Sequence, residues 1–142
     1  MVAQGVLLLG VLVLAVIFRG GGFGTAAVGS GAGLLLISAG VAVAGTIALG
    51  TNLTPFPKPG DQAQLVCHGI YALIRHPLYA SVIAGSLGWA LVWQSWPALA
   101  VAGALMVFFH AKARCEERWL RQRFPEYAAY QRQVRRFIPW LW

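Results

Sequence analysis

From Pro77 to Phe109 the sequence runs for thirty-three residues without a formal charge, interrupted only by Gln94-Ser-Trp-Pro97 near its middle. A helix needs about 20 apolar residues to cross a bilayer, so two crossings need about 40. A hairpin built on this run must therefore draw on its flanks, reaching down to Arg75-His76 on one side and up to about Cys115 on the other. Both ends of a hairpin leave a membrane at the same face. Bilayer thickness alone thus predicts that Arg75-His76 lies beside the run Lys112-Ala-Arg-Cys-Glu-Glu117.

The rest of the chain suits that setting. Of 142 residues, 58% are hydrophobic and 11% are charged, with a mean hydropathy of +0.67, which is the composition of an integral membrane protein in one domain, 1–142. Val2 to Phe18 is uncharged and gives a first span over about 2–18, ended by Arg19 and the run Gly20-Gly-Gly-Phe-Gly24. A second span covers about 26–49, where Gly29 and Gly33, four apart, are expected to form the face on which a neighbouring helix packs. Pro55, Pro57 and Pro59 remove three backbone donors and make Thr51 to Gln64 a loop. Spans over about 77–94 and 97–115 complete an all-α, polytopic membrane protein with about four transmembrane helices. Met1 to Gln4 carries no Lys or Arg ahead of the apolar run, so the first helix reads as retained and not as a cleaved signal.

Charge sets the orientation. The net charge is +7, but ten of the eleven basic residues follow residue 57 and eight of them lie from Lys112 to Arg136. Basic residues clustered beside a span mark its cytoplasmic side, and no nucleic-acid reader motif accompanies them, so nucleic acid is excluded as a partner. Both termini and the Arg75 and Lys112 runs are expected on the cytoplasmic side of what reads as a prokaryotic inner membrane. There Cys67 and Cys115 stay reduced, and the acceptor Asn52-Leu53-Thr54 is out of reach of glycosylation. Trp89, Trp93 and Trp96 suit the opposite interface. Beyond Cys115 the fourth helix should continue to Phe124 and stop at Pro125. A cytoplasmic amphipathic helix over about 126–137 should then lie on the lipid headgroups with Trp140 and Trp142.

The two runs carry the polar chemistry. Pro77 suits the first position of a helix and forces His76 out of helical geometry, so free amide groups and a partial positive charge gather beside His76. That is a place for a carboxylate. Arg75 adds a guanidinium, and Tyr71 and Tyr79 add flat faces with hydroxyls. Glu116 and Glu117 offer negative charge to an ammonium or acceptors to ribose hydroxyls. S-adenosylmethionine has every one of these groups. The same residues also admit a structural account: Lys112 and Glu116, Arg114 and Glu117, and Glu117 and Arg121 stand at spacings that stabilise a solvated helix. His76 could be no more than a cap. A metal site from Cys67, His68, His76 and Cys115 matches no finger-type spacing, and a small four-helix transporter would need an acidic residue inside a span, whereas no Asp or Glu precedes Asp61.

Gly69-Ile-Tyr71, Arg75-His76-Pro77-Leu-Tyr79, Glu116-Glu117-Arg-Trp-Leu120, Phe124, Tyr127, Tyr130 and Val134-Arg-Arg-Phe-Ile-Pro139 resemble the isoprenylcysteine carboxyl methyltransferase and phospholipid methyltransferase superfamily of integral membrane enzymes. The likeness covers about residues 50 to 140. It implies S-adenosylmethionine as cofactor and a lipophilic acceptor arriving from the bilayer lipids. It further implies that Gln64, Leu65, Val66 and Tyr71 line the nucleoside end, and that His76, Pro77, Leu78 and Tyr79 hold the methionine portion. A glutamate of the pair Glu116 and Glu117 binds from the fourth helix, with Glu116 favoured, since neighbours on a helix point about 100° apart. Lys112 or Arg114 would face the acceptor. Ser81 stands where the family commonly has glycine. A carboxylate acceptor is already nucleophilic and needs only a cation such as Arg75, Lys112 or Arg114 to aim it, whereas the amine of a phospholipid, the alternative acceptor, needs a base.

Overall fold

The computed structural model describes residues 2–50 and 65–138. Within them lie five α-helices: α1 (Val2–Ile17), α2 (Thr25–Leu49), α3 (Pro77–Val92), α4 (Trp96–Arg123) and α5 (Tyr127–Gln133), with a 3-10 turn at Gly69–Ala72. No strand occurs among the described residues. The expected loop over 51–64, Gln64 included, and Trp140 and Trp142 fall outside them. Helices α2 and α4 are long and apolar enough to cross a membrane, and α1 and α3 are shorter apolar helices of 16 residues each.

At one end of the bundle the two turns lock together through backbone groups. Gly20 and Gly21 donate to the carbonyls of Trp93 and Gln94 at 3.1 and 2.7 Å, and Phe23 N–H reaches the Gln94 side-chain oxygen at 3.1 Å. Glycine is required here: Gly20, Gly22 and Gly24 have φ of 86°, 75° and 82°, and a Cβ on Gly21 would stand 2.4 Å from the Gln94 carbonyl oxygen. Ser95 then starts α4, its hydroxyl accepting from Ala98 N–H and donating to the Leu14 carbonyl. These bonds hold together the carboxyl ends of α1 and α3 and the amino ends of α2 and α4.

Helices α2 and α3 touch along a stripe of small residues, though not the expected one. Gly29 and Gly33 have nothing within 4 Å of where a Cβ would be. The contact runs through Gly31, Ser38 and Gly45, spaced seven apart: a Cβ on Gly31 would lie 2.7 Å from the Gly88 carbonyl oxygen, Ser38 Oγ donates to the Ser81 carbonyl at 2.7 Å, and Gly45 meets Leu78. A seven-residue repeat keeps one face towards a long antiparallel neighbour over several turns, which a single pair four apart does not. Ser81 thus fills its position with a close backbone contact. In the core, Leu105 and Phe109 of α4 pack with Ile83 of α3, and Leu7, Leu8 and Tyr79 close round them.

The other correction concerns the carboxyl end. Helix α4 runs unbroken to Arg123 and Phe124 caps it, but α5 spans only 7 residues where a helix over 126–137 was expected. The chain then straightens. Ile74 and Arg135 form a parallel bridge, Arg75 N–H donates to the Arg135 carbonyl at 2.8 Å, and His76 N–H donates to the Arg136 carbonyl at 3.0 Å. Val134 and Phe137 are buried. The cause is the Arg75 side chain, whose Nη1 bonds the carbonyls of Gln131 and Val134 and so takes up acceptors that a helix end leaves open.

Candidate functional site

The start of α3 is built as its sequence requires. Pro77 occupies the first turn, and His76 precedes it at φ −127°, ψ 63°. No side chain caps the helix, so the amide groups of Leu78 and Tyr79 have no acceptor within it. Its 16 residues make that end a place where an anion is favoured. The His76 ring, 7% exposed, stacks parallel on Tyr79 with centroids 5.3 Å apart.

Helix α4 delivers its charged last turns, from Lys112 onward, to the same place, and the two adjacent glutamates meet different surroundings there. Glu117 is 2% exposed and ringed by donors. Arg75 reaches Oε1 through Nε at 3.1 Å and Nη2 at 3.0 Å, Arg136 spans both oxygens at 3.0 and 2.7 Å, Gln131 Nε2 donates at 3.1 Å, and His76 Nε2 lies 3.2 Å from Oε1. Burial opposes its charge, but the bonds from His76 and Arg136 and the Arg75 charge outweigh it and hold the carboxyl below the ordinary carboxylate range. Glu116 is partly open. Its Oε2 accepts from Tyr79 hydroxyl at 2.7 Å and lies 3.8 Å from His76 Nδ1.

Lys112 stands one turn before Glu116. Its ammonium lies over the Tyr79 ring at 5.0 Å and bonds Gln4 Oε1 of α1 at 2.8 Å. Arg114, two residues on and so about 200° round the helix, is exposed. Arg75 is beneath the site, against Glu117 and the carboxyl-terminal carbonyls. Tyr71 is buried in the 3-10 turn, and its carbonyl accepts from Tyr130 hydroxyl at 2.5 Å. Burial first and the Glu116 charge second push the Tyr71 phenol up to about 12, so it stays neutral. Burial, with Cys67 nearby, also raises the Tyr130 phenol. Leu65 and Val66 are half-buried ahead of that turn, and Gln64 lies outside the described residues. Among the described residues no three of His, Cys, Asp or Glu are grouped as a metal ion would need.

The structure therefore brings together Tyr71, His76, Pro77, Leu78, Tyr79, Lys112, Glu116 and Glu117, with Arg75 below them. Sequence reasoning missed the part of Gln131, Val134, Arg136 and Phe137, because their basic and aromatic residues were read as a surface helix. The available signal was a deficit: two adjacent acids beside Arg75, once buried, needed a second cation. Gln4 left no signal at all, being one amide in an apolar run.

Residues 26–127 match the phospholipid methyltransferase family. The cobalt-zinc-cadmium resistance protein CzcN of Cupriavidus metallidurans is 41% identical over 76 residues, 53% of this chain and 35% of that protein. A probable protein-S-isoprenylcysteine O-methyltransferase of Oryza sativa is 34% identical over 84 residues, 57% of this chain and 44% of the rice protein. The nickel-cobalt-cadmium resistance protein NccN of Alcaligenes xylosoxydans is 34% identical over 77 residues, covering 54% and 36%. The chain thus matches less than half the length of each of these relatives.

Proposed function

The chain belongs to the phospholipid methyltransferase family, and from that premise we propose that it is an integral membrane methyltransferase using S-adenosylmethionine on an apolar, membrane-resident acceptor. In this reading the four spans lie within α1 to α4, the fourth ending near Cys115, with both termini and the site at the cytoplasmic face. The observation that carries it is the bond from Tyr79 hydroxyl to Glu116 Oε2, 2.7 Å long, which joins the uncapped start of α3 to the acidic end of α4.

The donor set fits the cofactor's polar groups. The first-turn amides of Leu78 and Tyr79 suit its carboxylate, and Glu116 suits its ammonium. Tyr71, with Leu65, Val66 and Gln64, would line the base and ribose. Glu117 contacts none of it in this reading: it fixes His76 and the guanidinium of Arg75, and so keeps the start of α3 in place. When bound, S-adenosylmethionine supplies a methyl group on a positively charged sulfur. The protein's own work is to align the acceptor in line with that group and to keep water out. Lys112 is the cation placed to receive an acceptor carboxylate, which attacks as the anion and has no proton to lose. A phospholipid amine is the second reading, favoured by His76 standing between Glu117 and Glu116 at 3.2 and 3.8 Å, where an imidazole could take a proton from the acceptor.

Calorimetric titration of the purified chain with S-adenosylhomocysteine tests the cofactor. Binding is expected, weakened about tenfold or more in Glu116→Ala, as removal of one charged hydrogen-bond partner implies, and weakened also in His76→Ala, which loses the ring stacked on Tyr79. Unchanged heats in both variants would overturn the assignment. Radiolabelled methyl transfer to an S-isoprenylated cysteine, set against transfer to phosphatidylethanolamine, separates the carboxylate acceptor from the amine.

A further inference from the structure

Helix α1 lies wholly before the segment that matches the family, 26–127, yet it reaches the site. Its first turns would be expected to face only lipid and α4, and Val2, Val6 and Leu9 are indeed exposed apolar residues. Gln4 is the polar exception. Its amide oxygen accepts from Lys112 Nζ at 2.8 Å, while the same ammonium lies 5.0 Å from the Tyr79 ring centre and 5.7 Å from that of Phe109. A long lysine side chain left to itself samples many rotamers, and a bond at its tip removes most of that freedom. The partner is neutral. A carboxylate here would cancel the charge of Lys112, whereas an amide fixes the ammonium and leaves its charge for something else.

We propose that Gln4 is a positioning residue of the acceptor side, holding Lys112 over Tyr79 so that its ammonium receives the anionic group of an apolar acceptor arriving from the bilayer. The inference rests on the methyltransferase reading for the acceptor's fate, but not for the bond itself. It makes α1 a part of the site. The requirement at position 4 is specific: an oxygen acceptor without charge.

Lys58 is the only other lysine of the chain, so competitive acylation with acetic anhydride, read by mass spectrometry, has an internal reference. In the whole 142-residue chain in nanodiscs, Gln4→Leu is expected to raise the Lys112-to-Lys58 acylation ratio about tenfold, the population change that loss of one hydrogen bond to a charged group implies. Oleate should protect Lys112 in the wild type and oleyl alcohol should not. Gln4→Glu separates position from charge: Lys112 should stay as unreactive as in the wild type, but oleate should no longer protect it. An unchanged ratio in Gln4→Leu, equal protection by the acid and the alcohol, or Gln4→Glu behaving as Gln4→Leu would each overturn the proposal. Absence of S-adenosylhomocysteine binding by the wild type would instead sink the methyltransferase reading, so the two failures are distinguishable.

Discussion

Glu116 and Glu117 are neighbours in the chain and opposites in the fold. Glu117 is enclosed by Arg75 and His76 from ahead of α3 and by Gln131 and Arg136 from the carboxyl-terminal segment, and all its acceptor capacity is taken up. Glu116 touches Tyr79 and leaves a side chain that is 23% exposed. A carboxylate that is buried and saturated can hold a structure together but cannot greet a ligand, while one that is anchored by a single oxygen can do so at little cost to the fold. The pair thus divides the site into a floor and a rim. Substitutions at the two positions should therefore fail in different ways.

The largest effect is expected at the floor. Glu117→Leu leaves the guanidinium groups of Arg75 and Arg136 facing each other without a counter-charge, and breaking a buried ion pair from one side costs about 3–5 kcal/mol. Glu116→Leu removes one hydrogen bond at a partly open position, for about 1 kcal/mol. Chemical unfolding of both variants in the same detergent checks the contrast. Equal losses would erase the distinction between floor and rim. The carboxyl-terminal segment supplies a second reading of the same comparison, because its docking depends on Arg136: in Glu117→Leu, limited proteolysis should begin after Gln133, where in Glu116→Leu it should not.

The sequence revealed the rim more readily than the floor, and the reason is physical. The juxtaposition of His76 with Glu116 follows from counting apolar residues against bilayer thickness, a constraint that acts on the whole hairpin and needs no side-chain detail. Pro77 marked the start of α3 because its ring excludes the preceding residue from helical geometry. The floor depends instead on where Arg136 goes, and nothing local to Arg132, Arg135 and Arg136 distinguishes an arginine bound for lipid headgroups from one bound for a buried glutamate. The same limit applied to α2, where Gly29, Gly31 and Gly33 are equivalent in sequence and only the course of α3 selects Gly31. Gln4 shows the extreme case: its partner is more than a hundred residues away.

A smaller effect probes how the rim is joined to α3. Tyr79→Phe keeps the ring that stacks on His76 and lies under Lys112, and removes only the hydroxyl that bonds Glu116. Stability should change by no more than about 1 kcal/mol, since the freed carboxylate can turn towards water. Affinity for S-adenosylhomocysteine should fall by a few fold, because Glu116 then has to be fixed by the ligand itself. A loss as large as in Glu116→Ala would mean that the Tyr79 hydroxyl touches the ligand and that the rim has two polar contacts where the floor-and-rim division assigns one.

The smallest effect tests the floor by pH. The Glu117 carboxyl is held below its ordinary value of 4.5, so the folded protein keeps this group ionised at pH values where the unfolded chain has taken up a proton. Its contribution to stability is then fully present above about 4.5 and is lost as the pH falls from there through the lowered folded value. One proton taken up only on unfolding gives a slope of at most about 1.4 kcal/mol per pH unit. The difference in unfolding free energy between the wild type and Glu117→Gln should accordingly be constant from pH 8 to about 5 and shrink below 4.5. A Glu117 difference that stayed constant down to pH 3 would mean that the carboxylate is not bearing the charge of Arg75 and Arg136, and that the carboxyl-terminal segment is held by its backbone bonds to Arg75 and His76 alone.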